Sequence, residues 1–213
     1  MKRIAIQGVG GAFHDIAARG YFDNEEVETV PCHTFKDVFK AIDKDDNLLG
    51  IIAIENTIAG SLLQNHNLLR ESGCLIIGEY KLRISHQLAV LPGQKLEDIN
   101  EVCSHPIALM QCEDFLDAHK NLRAVETDDT ALSAKEIAEN KITGRAAICS
   151  RLAAELYGLE ILAEGIETNK RNFTRFLIIA KPDLAYKMNR QMVLNKSTLV
   201  FTLPHEEGSL SKV

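Results

Sequence analysis

Long apolar runs are missing from this sequence. No apolar run in its 213 residues reaches even ten, whereas a membrane-spanning helix needs about 20. The opening residues, MKRIAIQ, are too short an apolar stretch for a secretory signal. We therefore expect a cytoplasmic protein with no membrane partner.

Clusters of positive charge are missing as well. The sequence has 30 acidic against 24 basic residues, a formal net charge of -6, and no Lys/Arg group of the kind that follows a phosphate backbone. We therefore expect no nucleic-acid partner.

Motifs for metal, redox and hydrolase chemistry are also lacking. The five cysteines include no C-x-x-C pair, and the seven histidines show no metal-ligand spacing. No G-x-S-x-G, P-loop or H-E-x-x-H motif occurs. We therefore expect buried, reduced thiols and no metal site.

The pattern that is present alternates short apolar runs with amphipathic stretches. It predicts strands at 3–7, 27–32, 50–55, 75–83, 101–104, 123–127, 146–149 and 174–180. It predicts helices at 11–21, 34–44, 62–72, 106–119, 129–139 and 150–157. Such alternation favours an α/β fold with parallel sheets that are covered by helices.

An apolar-alternating stretch at 73–90 is about twice the usual length of a strand. We interpret it as a crossing between two α/β lobes, with a return crossing near 172–181. The lobes would enclose a cleft. A further strand-like run at 198–203 is followed by Gly208 and is too short to form a domain.

The first polar junction between strand and helix is Gly8-Val9-Gly10-Gly11-Ala12-Phe13. It fails as a dinucleotide fingerprint because Phe13 stands where the third glycine is needed. Two interpretations stay open: backbone amides that approach an anion, or glycines that only permit a tight turn.

A second junction, Glu55-Asn56-Thr57-Ile58-Ala59-Gly60-Ser61, follows a buried strand. Buried polar groups are costly unless each has a partner, which favours a binding role for Glu55 and Asn56. The alternative is that these residues, Ser61 above all, cap the next helix.

Three further segments carry polar groups. Ser104-His105-Pro106 opens a helix in which Gln111 faces inward, although a well-capped helix alone explains Ser104 and Pro106. Thr127-Asp128-Asp129-Thr130 is interpreted only as a helix cap. Arg175 is either a bidentate carboxylate clamp or half of a structural ion pair.

Taken in order, these segments resemble one family, prephenate dehydratase. The matching stretches are Gln7 to Phe13, Ile54 to Ser61, Ile84-Ser85-His86-Gln87-Leu88, Cys103 to Pro106 with Gln111-Cys112, and Asn172-Phe173-Thr174-Arg175-Phe176. Where relatives often have proline, this sequence has Gly10.

The resemblance implies a two-lobed fold like that of type II periplasmic binding proteins, with an active-site cleft between the lobes, followed by a fragment of an α+β ACT domain. The catalytic domain would span 1–182, with lobe one at about 1–80 plus 172–182 and lobe two at about 81–171. Residues 196–213 would be the start of the ACT domain.

The resemblance also implies a carbon–oxygen lyase that converts prephenate to phenylpyruvate, water and CO2 in L-phenylalanine biosynthesis, without a cofactor. The implied catalytic residues are Thr174, Glu55 and Asn56. The implied substrate-binding residues are Arg175, Ser104, Gln111, Thr57, Gly10, Gly11 and Phe176.

Two alternatives remain open at this point: arogenate dehydratase, and a non-catalytic small-molecule-binding protein of the same fold. The resemblance implies L-phenylalanine as an effector only with a complete ACT domain. It also implies a homo-oligomer for the full-length protein.

Overall fold

The computed structural model describes residues 1–23, 25–189, 196–199, 201 and 203–212, and of Asn189 only the backbone. The strands are β1 (Lys2–Gln7), β2 (Val27–Cys32), β3 (Leu49–Asn56), β4 (Gly60–Ser61), β5 (Leu75–Arg83), β6 (Gln87–Val90), β7 (Glu101–Ser104), β8 (Arg123–Glu126), β9 (Arg145–Cys149), β10 (Glu160–Ala163) and β11 (Phe173–Ala180). The helices are α1 (Phe13–Tyr21), α2 (Phe35–Lys44), α3 (Leu63–Ser72), α4 (Pro106–Gln111), α5 (Glu113–Ala118), α6 (Thr130–Glu139), α7 (Arg151–Leu156) and α8 (Pro182–Asn189).

These elements form two sheets. The first has the order β2-β1-β3-β11-β5, with β4 paired to β3, and the second has the order β10-β6-β9-β7-β8. Apolar clusters fill both faces of each sheet. We call each sheet with its helices a lobe, and the two-lobed α/β fold class is confirmed.

The chain passes between the lobes twice. It leaves the first sheet at the end of β5 and enters the second at β6, and it returns between β10 and β11. Three buried bonds secure the crossing segments: the amide of Ile84 donates to the Asn172 carbonyl (2.8 Å), and that of Ile166 donates to the His86 carbonyl (2.9 Å). In the third, the His86 amide donates to the buried Glu167 carboxylate (2.9 Å).

The expectation of parallel sheets was wrong, because both sheets are mixed. β11 runs antiparallel to β3 and β5, and β6 runs antiparallel to β9 and β10. β11 and β6 each enter their sheet directly from the other lobe. A strand without a helical crossover inside its own sheet is free to pair antiparallel.

The helix predicted at 106–119 is broken at Cys112 into α4 and α5. At this break, hydrogen bonds from the segment between β10 and β11 replace hydrogen bonds within the helix. The Thr168 amide donates to the Gln111 carbonyl (2.8 Å), and the Asp114 amide donates to Thr168 Oγ1 (3.1 Å). The interruption therefore comes from a contact distant in sequence.

The predicted strand at 198–203 lies only partly in the described chain. Val200 and Thr202 fall outside the described residues, and Ser197, Thr198, Leu199, Phe201 and Leu203, which are described, are not in a strand. A short 3-10 helix follows at Leu210–Lys212. The division into a catalytic domain at 1–182 and an ACT fragment at 196–213 stays a prediction.

The helices in the described ranges are short. The longest have ten residues, about half of what a bilayer crossing requires. None of the described helices is long and apolar enough to span a membrane.

Candidate active site

A cavity of about 380 Å³ lies between the two lobes. In open α/β sheets, ligands bind beyond the carboxyl ends of the parallel strands. Gln7 and Asn56, which line the cavity, are the last residues of the parallel strands β1 and β3. The polar residues of its lining are Gln7, His14, Asn56 and Thr174 from the first lobe, His86 from the crossing, and His105, Gln111, Asp129 and Thr130 from the second.

Thr174 and Asn56 meet in the cavity wall because β11 and β3 pair in register at this point. Asn56 Nδ2 donates to Thr174 Oγ1 (2.9 Å). The orientation of the Asn56 amide is fixed, since the backbone amides of Ile58 and Ala59 donate to its Oδ1 (2.9 and 2.8 Å). Thr174 Oγ1 therefore accepts from Asn56, and its own hydrogen remains free to donate.

A buried chain of amides supports this pair. Asn56 Nδ2 also donates to Asn172 Oδ1 (2.8 Å), and Asn172 Nδ2 donates to Gln111 Oε1 (2.8 Å). Gln111 Nε2 completes the ring through a longer bond to Asn56 Oδ1 (3.4 Å). Gln111, on α4 of the second lobe, thus joins the two lobes beside Thr174.

His86 extends the network from the crossing segment. Its Nε2 lies 2.9 Å from Gln111 Oε1, and because that oxygen is an acceptor, Nε2 carries the hydrogen. Burial lowers the pKa of His86 below its ordinary value. The imidazole is therefore neutral near pH 7, and it positions Gln111 without adding charge.

His14 lies at the cavity wall, between two aromatic rings. Phe35 and Phe176 make edge contacts with it, at ring-centre distances of 5.3 and 5.0 Å. Its Nε2 is buried and has no hydrogen-bond partner in the described chain. Burial lowers the pKa of His14 to about 3, so this ring is also neutral.

Positive charge at the cavity comes from the backbone. Within the described ranges, no lysine or arginine lines the cavity. The helices α1 and α3 begin at its wall, and neither Ala12 nor Leu62 caps them with a side chain. Unpaired amides at a helix N-terminus carry partial positive charge, so both helix ends can face an anion.

Asp129 is the N-cap of α6, within the segment 127–130 that predicted a helix cap, and it also lines the cavity. Its Oδ1 accepts from the Leu132 amide (2.8 Å). Burial raises the pKa of the Asp129 carboxyl, although the amides of Leu132 and Ala131 and the nearby His105 oppose that shift. The side chain therefore caps α6 and borders the cavity at the same time.

Glu55 and Arg175 are not at the cavity. Successive side chains of a strand point to opposite faces, so Glu55 and Arg175 face away from the side that Asn56 and Thr174 share. Glu55 is exposed. Arg175 is bound to Glu79 of β5 through Nε (2.8 Å) and a terminal nitrogen (2.7 Å), so the structural ion pair is the interpretation that this geometry matches.

Ser104 and Thr57 have structural partners instead of lining the cavity. Ser104 Oγ donates to the Ile148 carbonyl (2.7 Å). Thr57 Oγ1 donates to the Arg171 carbonyl and accepts from the Phe173 amide (both 2.9 Å). Ser61 lies in β4 and does not cap α3, whose N-cap is Leu62.

Gly10 and Gly11 contact the second lobe instead of an anion. Tyr157 donates to the Gly10 carbonyl (2.8 Å), Ser150 Oγ donates to the Gly11 carbonyl (2.6 Å), and the Gly11 amide donates to Asp15 (2.8 Å). The tight-turn interpretation therefore matches the geometry.

Of the predicted site residues, the structure brings Thr174, Asn56, Gln111 and Phe176 together at the cavity. The residues that sequence reasoning did not assign to the site are His14, His86, Asn172 and Asp129. His86 and Asn172 stand inside stretches quoted for the family resemblance, and this was a usable signal. The cap pattern around Asp129 explained this residue without a ligand, so its place in the cavity wall was missed. Nothing in the sequence indicated His14.

The comparisons with known proteins agree with this geometry. The family model described as "PDT: Prephenate dehydratase" matches residues 4–184. The chain belongs to the prephenate dehydratase family. Arogenate dehydratase 1 of Petunia hybrida is 39% identical over 213 residues, which cover 99% of this chain and 49% of the relative.

A second relative, the chloroplastic arogenate dehydratase/prephenate dehydratase 2 of Arabidopsis thaliana, is 39% identical over 210 residues, with 99% and 54% of the two chains covered. The chain thus spans about half the length of the curated relatives it matches.

Two solved structures share the fold. Prephenate dehydratase from Arthrobacter aurescens, in complex with L-Phe, superposes with a TM-score of 0.81 at 26% identity, covering 98% of this chain and 69% of that one. GqqA, described as a novel type of quorum quenching acylase, gives a TM-score of 0.77 at 32% identity and covers 99% and 74%.

Proposed function

We propose that this member of the family removes water and CO2 from prephenate, or from its aminated counterpart arogenate, to form phenylpyruvate or phenylalanine. One observation carries the proposal: Asn56 donates to the oxygen of Thr174 at the cavity wall, so the threonine hydrogen is free to donate to a bound substrate. The ring hydroxyl that must leave is such an acceptor.

In this reaction the bond between the ring carbon and its hydroxyl oxygen breaks, and one proton is consumed to release water. The ring carboxylate leaves as CO2, and the electron pair of its carbon–carbon bond completes the aromatic ring. A threonine hydroxyl is a weak acid, so Thr174 acts as a hydrogen-bond donor and proton relay to the departing oxygen.

His105 is our candidate for the proton source. It lines the cavity. Its Nδ1 accepts from the Ile107 amide (3.2 Å), which describes the neutral ring; to supply the proton, the ring must first take one up, and that bond is then lost. Glu55, which the resemblance implies as a catalytic residue, is exposed and does not line the cavity, so its position does not favour it as the proton source.

The substrate carboxylates require charge compensation in a cavity without lysine or arginine among its described lining residues. The N-terminal amides of α1 and α3 supply it. Oriented amides are effective in such a site because they need little reorganisation during the reaction. Phe13, Phe35 and Phe176 exclude water from the ring of the substrate.

The test is turnover of prephenate and of arogenate, without added cofactor, by the wild type, Thr174→Ala and Thr174→Ser. The alanine variant should lose about 10²- to 10⁴-fold in kcat, as is usual for a positioned proton-transfer group. The serine variant keeps the hydroxyl and should retain most of the activity. Equal activity in all three proteins would remove Thr174 from the chemistry.

The similarity to GqqA makes hydrolysis of an acyl amide a useful parallel assay. Dehydratase activity that depends on Thr174, with no amide hydrolysis, would support the proposal. Amide hydrolysis alone would contradict it.

We also propose that L-phenylalanine regulates only chains with a complete ACT domain, of which residues 196–213 provide the start. A polypeptide of residues 1–213 by itself should then show no inhibition by L-phenylalanine beyond product competition, measured as an unchanged Vmax. A lowered Vmax would place an effector site within residues 1–213.

A further inference from the structure

The cavity contains one acidic side chain among its described lining residues, Asp129, and no basic side chain other than histidine. The first lobe places the N-termini of α1 and α3 at the cavity, where neither N-cap side chain caps its helix, although Asp15 of α1 accepts from the Gly11 amide. The second lobe places the Asp129 carboxylate there.

We propose, on the basis of the proposed function, that Asp129 binds the ammonium group of the aminated substrate and makes arogenate the preferred one. The keto substrate carries two carboxylates and no cation. The aminated substrate carries the same two carboxylates and one ammonium group, and this charge pattern matches the two walls.

Capping alone does not account for the position of Asp129. One oxygen, Oδ1, is enough to cap α6 through the Leu132 amide, and serine or asparagine would cap equally well. The other oxygen, Oδ2, lies only 2.6 Å from the point that a Cβ on Gly8 would occupy. The missing side chain at Gly8 therefore leaves space for the carboxylate at the end of β1.

The electrostatic setting of Asp129 agrees with a cationic ligand. Its carboxylate is largely removed from water. This burial is the largest effect on the pKa of Asp129, and it raises that pKa. His105 is the neighbouring group that opposes this shift by its charge. An ammonium group would stabilise the ionised carboxylate further, because a charged hydrogen bond is stronger than a neutral one.

The experiment measures kcat/KM for arogenate and prephenate with the wild type, Asp129→Asn and Asp128→Asn. Asparagine keeps the cap and removes the charge. Asp128 is the adjacent, exposed carboxylate and serves as the matched control. Asp129→Asn should lose about 10- to 100-fold with arogenate and change little with prephenate, whereas Asp128→Asn should change neither.

An equal loss with both substrates, or no loss with arogenate, would overturn the role of Asp129. Thermal unfolding of each variant checks that it folds, and Asp129→Ser, which also keeps the cap, replaces the asparagine variant if that one does not.

If the wild type converts neither substrate, the proposed function fails, but the role of Asp129 is still decided by calorimetric binding. Tighter binding of arogenate than of prephenate, lost in Asp129→Asn, would support it. Equal binding of the two compounds would contradict it.

Discussion

Thr174 and Arg175 are adjacent in sequence and have unrelated surroundings. Thr174 lines the cavity and accepts a hydrogen bond from Asn56, whereas Arg175 points from the other face of β11 toward Glu79. Lys196 also contacts that carboxylate. The arginine therefore belongs to a surface network beside the site.

Arg175→Lys should leave KM for either substrate within about twofold, because the side chain does not line the cavity. The loss of the two-pronged contact with Glu79 should cost no more than about 1 kcal/mol, the usual limit for a partly exposed ion pair. Steady-state kinetics and urea unfolding measure the two effects. A tenfold rise in KM would return Arg175 to substrate binding.

His14 links the site to the stability of the protein. Its pKa is 6.5 as an ordinary histidine and about 3 in the folded protein. Below pH 6.5 the unfolded chain therefore binds a proton that the folded chain does not. The free energy of unfolding must fall as the pH drops from about 6.5 toward 3, by about 1.4 kcal/mol per pH unit for this one group.

His14→Gln removes this titration at nearly constant side-chain size. The pH dependence of its unfolding free energy should be less steep than that of the wild type below pH 6.5, and the two curves should run parallel above it. Urea unfolding at a series of pH values gives both curves. Parallel curves throughout the acid range would mean that His14 is not buried as a neutral ring.

At the scale of elements, the turn between β1 and α1 packs directly against α7. Gly11 has a φ of +84°, and a Cβ on it would lie 2.6 Å from the Cα of Ala153. Gly93 has nearly the same φ, +86°, with nothing within 4 Å of such a Cβ. The two glycines have nearly the same positive φ, which would strain any substituted residue equally, and they differ in the atoms around them.

Gly11→Ala should therefore destabilise the protein by about 2 kcal/mol more than Gly93→Ala, since only the first variant forces the lobes apart. It should also lower activity, because Thr174 and Gln111 belong to different lobes. Equal unfolding free energies for the two variants would show that the turn between β1 and α1 accommodates the added methyl group without displacing α7.

Local patterns were enough to predict most elements, and contacts distant in sequence explain the rest. The periodicity of α2 and α6 placed both helices to within a residue or two. The break at Cys112 depends on Thr168, and the antiparallel entry of β11 depends on the return from the other lobe.

The same distinction applies to the candidate site. The motif residues Asn56 and Thr174 were found, but the motif also contains their neighbours Glu55 and Arg175, and the alternation of a strand turns those away from the cavity. A motif identifies a segment of the chain. Which of its side chains face the cavity follows from the pairing of β3 with β11.

For the whole molecule, the net charge of -6 opposes the approach of an anionic substrate. Raising the ionic strength from about 10 mM to about 100 mM shortens the screening length from about 30 Å to about 10 Å. Because no described basic side chain other than histidine lines the cavity, screening should remove repulsion more than attraction, and KM should fall or stay constant. A severalfold rise in KM with salt would indicate a cationic group at the substrate.

The two crossings also make the second lobe an insertion in the first. Its two ends leave from neighbouring strands, since Arg83 of β5 pairs with Phe173 of β11 in an antiparallel register. A two-residue Asn-Gly turn is the usual connection between such strands. Replacing residues 84–172 with that turn would convert β5 and β11 into a simple β-hairpin and leave the first lobe as one continuous sheet without a cleft.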